Sequence, residues 1–240
     1  MKKVLLISIA ILSVQISTAQ WFGKKVKGNG ELTTQSFNTS DYEGIAVAGS
    51  MDVRLVEGKE GDVKVEAESN IMEYLKIEVK GGILHIGTKD NTNISTRRGI
   101  MVTVPVERIS SARVSGSGEI VSSMNLKARN MDLKVSGSGD MILKVECANL
   151  DATVTGSGDI ELSGRTENLT AKVTGSGDID TAAVKANNVD ASVTGSGDIA
   201  CYVNGGNLRA RVTGSGDISY SGKSSNIDKK VTGSGDIEGR

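Results

Sequence analysis

Seven acidic residues recur at nearly constant spacing in this 240-residue chain: Glu119, Asp140, Asp159, Asp178, Asp198, Asp217 and Asp236. Each ends a Gly-Ser-Gly-acid turn, and carboxylates repeated in this way suit two chemistries. Oxygen ligands in series could hold a column of divalent cations, or each carboxylate could accept backbone N–H bonds across its own glycine turn. The repeat supplies one carboxylate per unit and lacks the period of a calcium-binding β-roll, so turn capping is expected and no metal is assigned. Some such partner is needed, because carboxylates about 4.8 Å apart repel by roughly 1 kcal/mol per neighbouring pair even in water.

Other reactive side chains are sparse. His85 is the only histidine. Between Leu84 and Ile86 on an alternating strand, it would point away from the face those two bury, which favours a solvated side chain over a catalytic base. The Gly-Ser-Gly turns open no helix, so they lack the converging donors of a phosphate-binding loop, and no cofactor is expected. Cys147 and Cys201 fall at different positions of repeats three steps apart. That is about 14 Å, beyond the ~7 Å reach of a disulfide, so two free packed thiols are expected. Exposed residues that depart from the repeat are Arg97, Arg98, Tyr202 and Tyr220. Lys+Arg 28 against Asp+Glu 29 leaves a net charge of -1 with no basic stripe, which excludes a nucleic-acid partner.

The elements that must position these residues are read from the repeat. VSGSGEI begins at Val114 and VSGSGDM at Val135, and VTGSGDI then begins at Val154, Val173, Val193, Val212 and Val231. The unit is thus about 19 residues, and its copies are near-identical. Before each turn, apolar and polar residues alternate, as in Leu150-Asp151-Ala152-Thr153-Val154, which makes a half-buried strand. After the turn, Ile160 and Leu162 resume the alternation. One unit buries too few apolar side chains to be stable alone, so units must stack, each strand pairing in parallel with its copy above and below. The expectation is all-β: a parallel β-helix, or β-solenoid, with very little helix and a narrow cross-section filled by alanines.

Residues 42–113 read as the same sheet system with irregular coils, an atypical section that serves as a cap. Within it, residues 90–99 are polar and read as an exposed loop. At the start, basic Lys2 and Lys3, an apolar run from Val4 and small residues up to Ala19 form an export signal at residues 1–19, too short to span a bilayer. No transmembrane segment is expected in the mature chain. Residues 20–40, with Lys24, Lys25 and Lys27, read as a solvated linker, and residues 41–240 as a single domain. The last unit ends near Arg240 without a capping segment, so the C-terminal coil is expected to be an edge open to end-to-end association.

These motifs resemble the bacterial head GIN domain family, whose members carry the label auto-transporter adhesin and whose domain has no established function. The resemblance rests on the opening Tyr42-Glu43-Gly44-Ile45-Ala46-Val47-Ala48-Gly49-Ser50-Met51-Asp52-Val53, the Gly81-Gly82-Ile83-Leu84 hairpin and the serial VTGSGDI turns. It implies a right-handed β-helix located outside the cytoplasm, with no catalytic residues to carry over. The expectation is an exported, non-catalytic protein in the periplasm, on the outer-membrane surface or outside the cell. It would act as an adhesin or binding scaffold for a protein or glycan of the envelope. The alternative is a carbohydrate-active β-helix enzyme acting on polysaccharide. That reading is disfavoured because the carboxylates sit at one repeated position and aromatic residues for sugar stacking are few.

Overall fold

The valine before each turn sets the register of the molecule. In the computed structural model, which describes residues 24–240, the valines of successive units pair directly in parallel, Val114 with Val135, Val135 with Val154, and on through Val173, Val193 and Val212. All of these are buried. Behind the turn a second column, Ile120, Met141, Ile160, Ile179, Ile199 and Ile218, stacks the same way and is equally buried. Fully burying one such aliphatic side chain contributes about 1.5–3 kcal/mol, so the stack is held by repetition of a modest gain. Two residues before the valines, Ala152, Ala171, Ala191 and Ala210 form a further buried column that keeps the coil thin. The protein is a β-solenoid of coils of about 19 residues, and its one helical piece among the described residues is the 3-10 turn Met72–Tyr74. The export signal expected at residues 1–19 lies outside the described residues.

Two units are longer than 19 residues, and both absorb the excess as a bulge in the second strand. Between Val121 and Asn125 the pairing slips against the next coil, and it slips again opposite Glu161 and Ser163. The glycine turns on either side keep their register. They do so because each glycine answers a separate demand. Gly156 has φ +124, a left-handed backbone that other residues enter at a cost. Gly158 lies so close to the coil below that a Cβ would sit 2.0 Å from the Gly139 carbonyl oxygen. On the polar side, asparagines extend the stacking: the Asn149 amide donates to Asn130 (2.8 Å), Asn168 to Asn149 (2.9 Å) and Asn188 to Asn168 (3.0 Å).

The N-terminal section caps the stack by leaving sequence order. Strand Gly44–Gly49 pairs with Ser111–Gly116 on one side and with Ile83–Thr88 on the other, so residues 83–106 lie above a coil that precedes them in the chain. Antiparallel pairs finish the cap: Leu75–Lys80 with Ile83–Thr88, and Leu32–Asn38 with Asp62–Glu68. Most of the stretch expected to be a linker is therefore folded. Lys24–Lys27 is a strand, and it pairs with Thr92–Ser95 inside the segment expected to be a loop. The reason is long-range. Val26 aligns with Ile94, and the buried Glu68 carboxylate accepts N–H groups from Gly30 (2.7 Å) and Arg97 (3.0 Å), tying both segments to the cap.

At the other end, among the described residues, Asn226–Gly233 pairs with Asn207–Gly214 on one side only, and Ile227 and Val231 are exposed. The alanine column ends here in Lys229, which aligns with Ala210. Its ammonium reaches back to donate to the Ile237 carbonyl (3.0 Å) and lies 4.5 Å from the Tyr220 ring centre. A charge placed at an inward position is a known means of blunting a sheet edge.

Both cysteines are buried and unpaired, as the register demanded. Burial pushes both thiols up, that of Cys201 to about 12. The folded protein should therefore resist maleimide, Cys201 most of all, with both thiols reacting only after denaturation. Labelling of Cys201 within minutes in native buffer would contradict the packing.

Candidate functional site

The seven acidic residues singled out from the sequence do form one column. Glu119 pairs with Asp140, the later aspartates follow at the same position of each coil, and Asp52 extends the column beyond Glu119. Their bonding differs from expectation. Each aspartate accepts not from its own turn but from the next coil: the Asp159 N–H donates to Asp140 Oδ1 (3.1 Å), Asp178 to Asp159 (2.8 Å), Asp198 to Asp178 (2.7 Å), and Asp217 to Asp198 and Asp236 to Asp217 (both 2.8 Å). The turn's own donors are already spent, since the Ser157 and Gly158 N–H groups go to the Gly137 carbonyl at 2.8 and 3.1 Å. At the last of these positions, Asp236 Oδ1 accepts from the Ile237 N–H (2.7 Å). Charge-assisted bonds of this kind offset the repulsion along the column. Among the described residues no cluster of three His, Cys, Asp or Glu is arranged to hold a metal ion.

Glu119 is the strained member. Burial first, then the carboxylates of Asp52 and Asp140, push its pKa above the usual carboxylate range. A carboxyl raised by folding contributes stability below its unfolded value near 4 and loses it as pH rises. At pH 7, Glu119→Gln should stabilise the protein by about 0.5 kcal/mol, the scale of a like-charge cross-strand pair, and the gain should vanish below about pH 4. Urea titrations at the two pH values would show this, and a loss of stability at pH 7 would refute it.

The remaining sequence candidates are scattered. His85 is half-exposed between the buried Leu84 and Ile86, as alternation required. Arg97 and Arg98 lie in the cap, where the Arg97 backbone serves Glu68. Tyr220 stands in register with the buried Cys201 and closes the end of the core against Lys229, so it is a packing residue and not an exposed departure from the repeat.

A different surface gathers irregular chemistry. At the corner after the second strand, half a coil along the chain from the acidic turn, successive coils leave a groove of about 910 Å³. Its floor is formed by Ala128, Cys147 and Thr166. One rim is a register column of Lys127, Glu146, Arg165 and Lys185. Arg108, Arg129, Glu107 and Glu167 complete its charged lining. Glu146 is matched within the wall: Arg165 bonds its carboxylate, the Asn125 amide donates to it (3.0 Å), and together they hold its pKa below the usual range. Arg108, Lys127, Arg129 and Lys185 make no ion pair among the described residues. The sequence reading did not single this groove out. Its signal was present in residues 127, 146, 165 and 185, which keep the period but change from Lys to Glu to Arg to Lys.

Comparison with known proteins places this geometry. A family profile described as "Putative auto-transporter adhesin, head GIN domain" matches residues 41–224. A "putative adhesin" from Bacteroides fragilis has the same fold, with TM-score 0.84 at 22% identity over 90% of this chain and 100% of that one. Two proteins from Parabacteroides distasonis are similar over the same shares: a "putative lipid binding protein" (28% identity, TM-score 0.76) and a "putative adhesin" (26%, 0.77). No curated protein matches the chain.

Proposed function

The chain belongs to the head GIN domain family of adhesin-type proteins, and on that premise we propose that it is an exported, non-catalytic binding module of the cell envelope that engages its partner through the corner groove. Family membership supports an adhesin-like binding role at or beyond the cell surface. The observation that carries the proposal is the groove itself: it crosses several coils, and four of its five cations, all but Arg165, make no ion pair among the described residues, while the acidic column is committed to backbone bonds. The polysaccharide-enzyme alternative finds less support, because the column's carboxylates are held in a regular ladder and the one histidine stands apart from it. No described helix is long and apolar enough to cross a membrane. The neighbour described as lipid binding raises an apolar ligand as a second reading. Of the large apolar side chains most exposed here, Leu32 and Ile142 stand singly on separate strands and Ile227 and Val231 share the edge strand Asn226–Gly233, so they gather into no apolar pocket, which favours the charged groove.

End-to-end contact through the C-terminal coil belongs to the same proposal, as a weak association restrained by Lys229. Fractionation of cells expressing the full chain, with and without protease added outside, tests the location. Recovery in the envelope or medium with cleavage by external protease is expected, and retention in the cytoplasm would overturn the proposal.

A further inference from the structure

We infer that the corner groove binds an extended anionic polysaccharide lying along the solenoid axis, a reading that deepens the binding-module proposal and rests on it. Shape comes first. Lys127, Arg165 and Lys185 lie in one column, and at about 4.8 Å per coil the distance from first to last is roughly 14 Å, the scale of a short oligosaccharide. Acidic groups repeated along a glycan chain can meet cations repeated along the coils.

Charge comes second. With Glu146 neutralised by Arg165, the unpaired Arg108, Lys127, Arg129 and Lys185 outnumber Glu107 and Glu167. In a concave site these cations act through less water than on an open surface, so their attraction for an anion is larger. The acidic column, half a coil away along the chain, repels the same polymer and confines it to the groove.

Hydroxyl chemistry comes third and separates a sugar from other polyanions. Glu167 and the amides of Asn187 and Asn204, the latter donating to Asn187 Oδ1 (3.2 Å), line the groove and offer both acceptors and donors, which suits a ligand rich in hydroxyls. A phosphodiester chain offers few hydroxyls. No aromatic ring lines the groove to stack bases, which disfavours single-stranded nucleic acid. Cys147 and Thr166 are themselves buried, so a ligand meets mainly the charged and amide side chains around them.

The test uses the purified chain with fluorescent polygalacturonate, heparin, neutral dextran and phosphatidylglycerol vesicles. Binding of the charged polysaccharides in preference to dextran is expected. Arg129→Glu with Lys185→Glu, both exposed and unpaired, should weaken that binding at least ten-fold and leave the melting temperature unchanged. The matched reversal Lys64→Glu with Lys172→Glu, on other faces, should change it less than two-fold. Equal losses in the two double variants, or no binding of either charged polysaccharide, would overturn the inference. If dextran or vesicles bind in their place and only the groove variant loses them, this inference fails while the binding-module reading stands.

Discussion

Gly158→Ala should cost more than about 3 kcal/mol and leave little native protein at physiological temperature, a large effect for adding one methyl group. The added Cβ would meet the Gly139 carbonyl oxygen at 2.0 Å and Val135 Cγ1 at 2.9 Å. Neither can yield, because the coil below is fixed by the valine column on one side of the turn and the isoleucine column on the other. Gly81→Ala makes the comparison sharp. Gly81 has φ +58 in the hairpin of the cap, but no atom lies near its added Cβ, so only the left-handed backbone is penalised, at about 1 kcal/mol. Urea denaturation of the two variants should separate them clearly. Equal losses would mean that the coils can spread apart and that close stacking is not what the second glycine serves.

The second large effect concerns the open end. Lys229→Ala continues the alanine column to the last coil and removes the ammonium from its contacts with Ile237 and Tyr220. What remains is an unpaired strand edge flanked by the exposed Ile227 and Val231, the kind of surface that recruits another strand. We expect sedimentation velocity to show the native chain mainly monomeric at micromolar concentration and the variant shifting to dimer, joined edge to edge at Asn226–Gly233. Lys229→Glu should remain monomeric, since any inward charge serves. A variant that stays monomeric with alanine at this position would show that the edge is protected by something other than Lys229.

What could be read from the sequence follows from how local each feature is. The coil, its two strands and the acidic column were legible because period, alternation and turn chemistry agree within every unit. The disulfide could be excluded by register alone. The partner of each carboxylate was not legible, since the choice between its own turn and the next coil depends on which N–H groups the glycine carbonyls have already taken. That residues 42–113 cap the stack was legible, but the order of the cap's strands was not, for a topological reason. Val26 and Ile94 look unremarkable until long-range pairing brings them together, and nothing near residue 44 announces that residues 83–106 return above it. The groove was hard to see in the sequence because Lys127, Glu146, Arg165 and Lys185 keep the repeat's spacing and vary only in charge. Lys229 was visible in principle, as the one position where the alanine of Ala191 and Ala210 becomes charged.

A surface-binding module working through that groove, as proposed, should hold the protein to a cell by way of the groove's cations. Beads coated with the full chain and presented to bacterial cells and to cultured host cells test it most directly, with adhesion counted before and after the reversal of Arg129 and Lys185 to glutamate. The account predicts that native beads adhere to at least one of these surfaces, and that the groove variant loses most of that adhesion while keeping its melting temperature and its β-sheet circular dichroism. Beads that adhere equally with the groove reversed, or that adhere to neither surface, would contradict it.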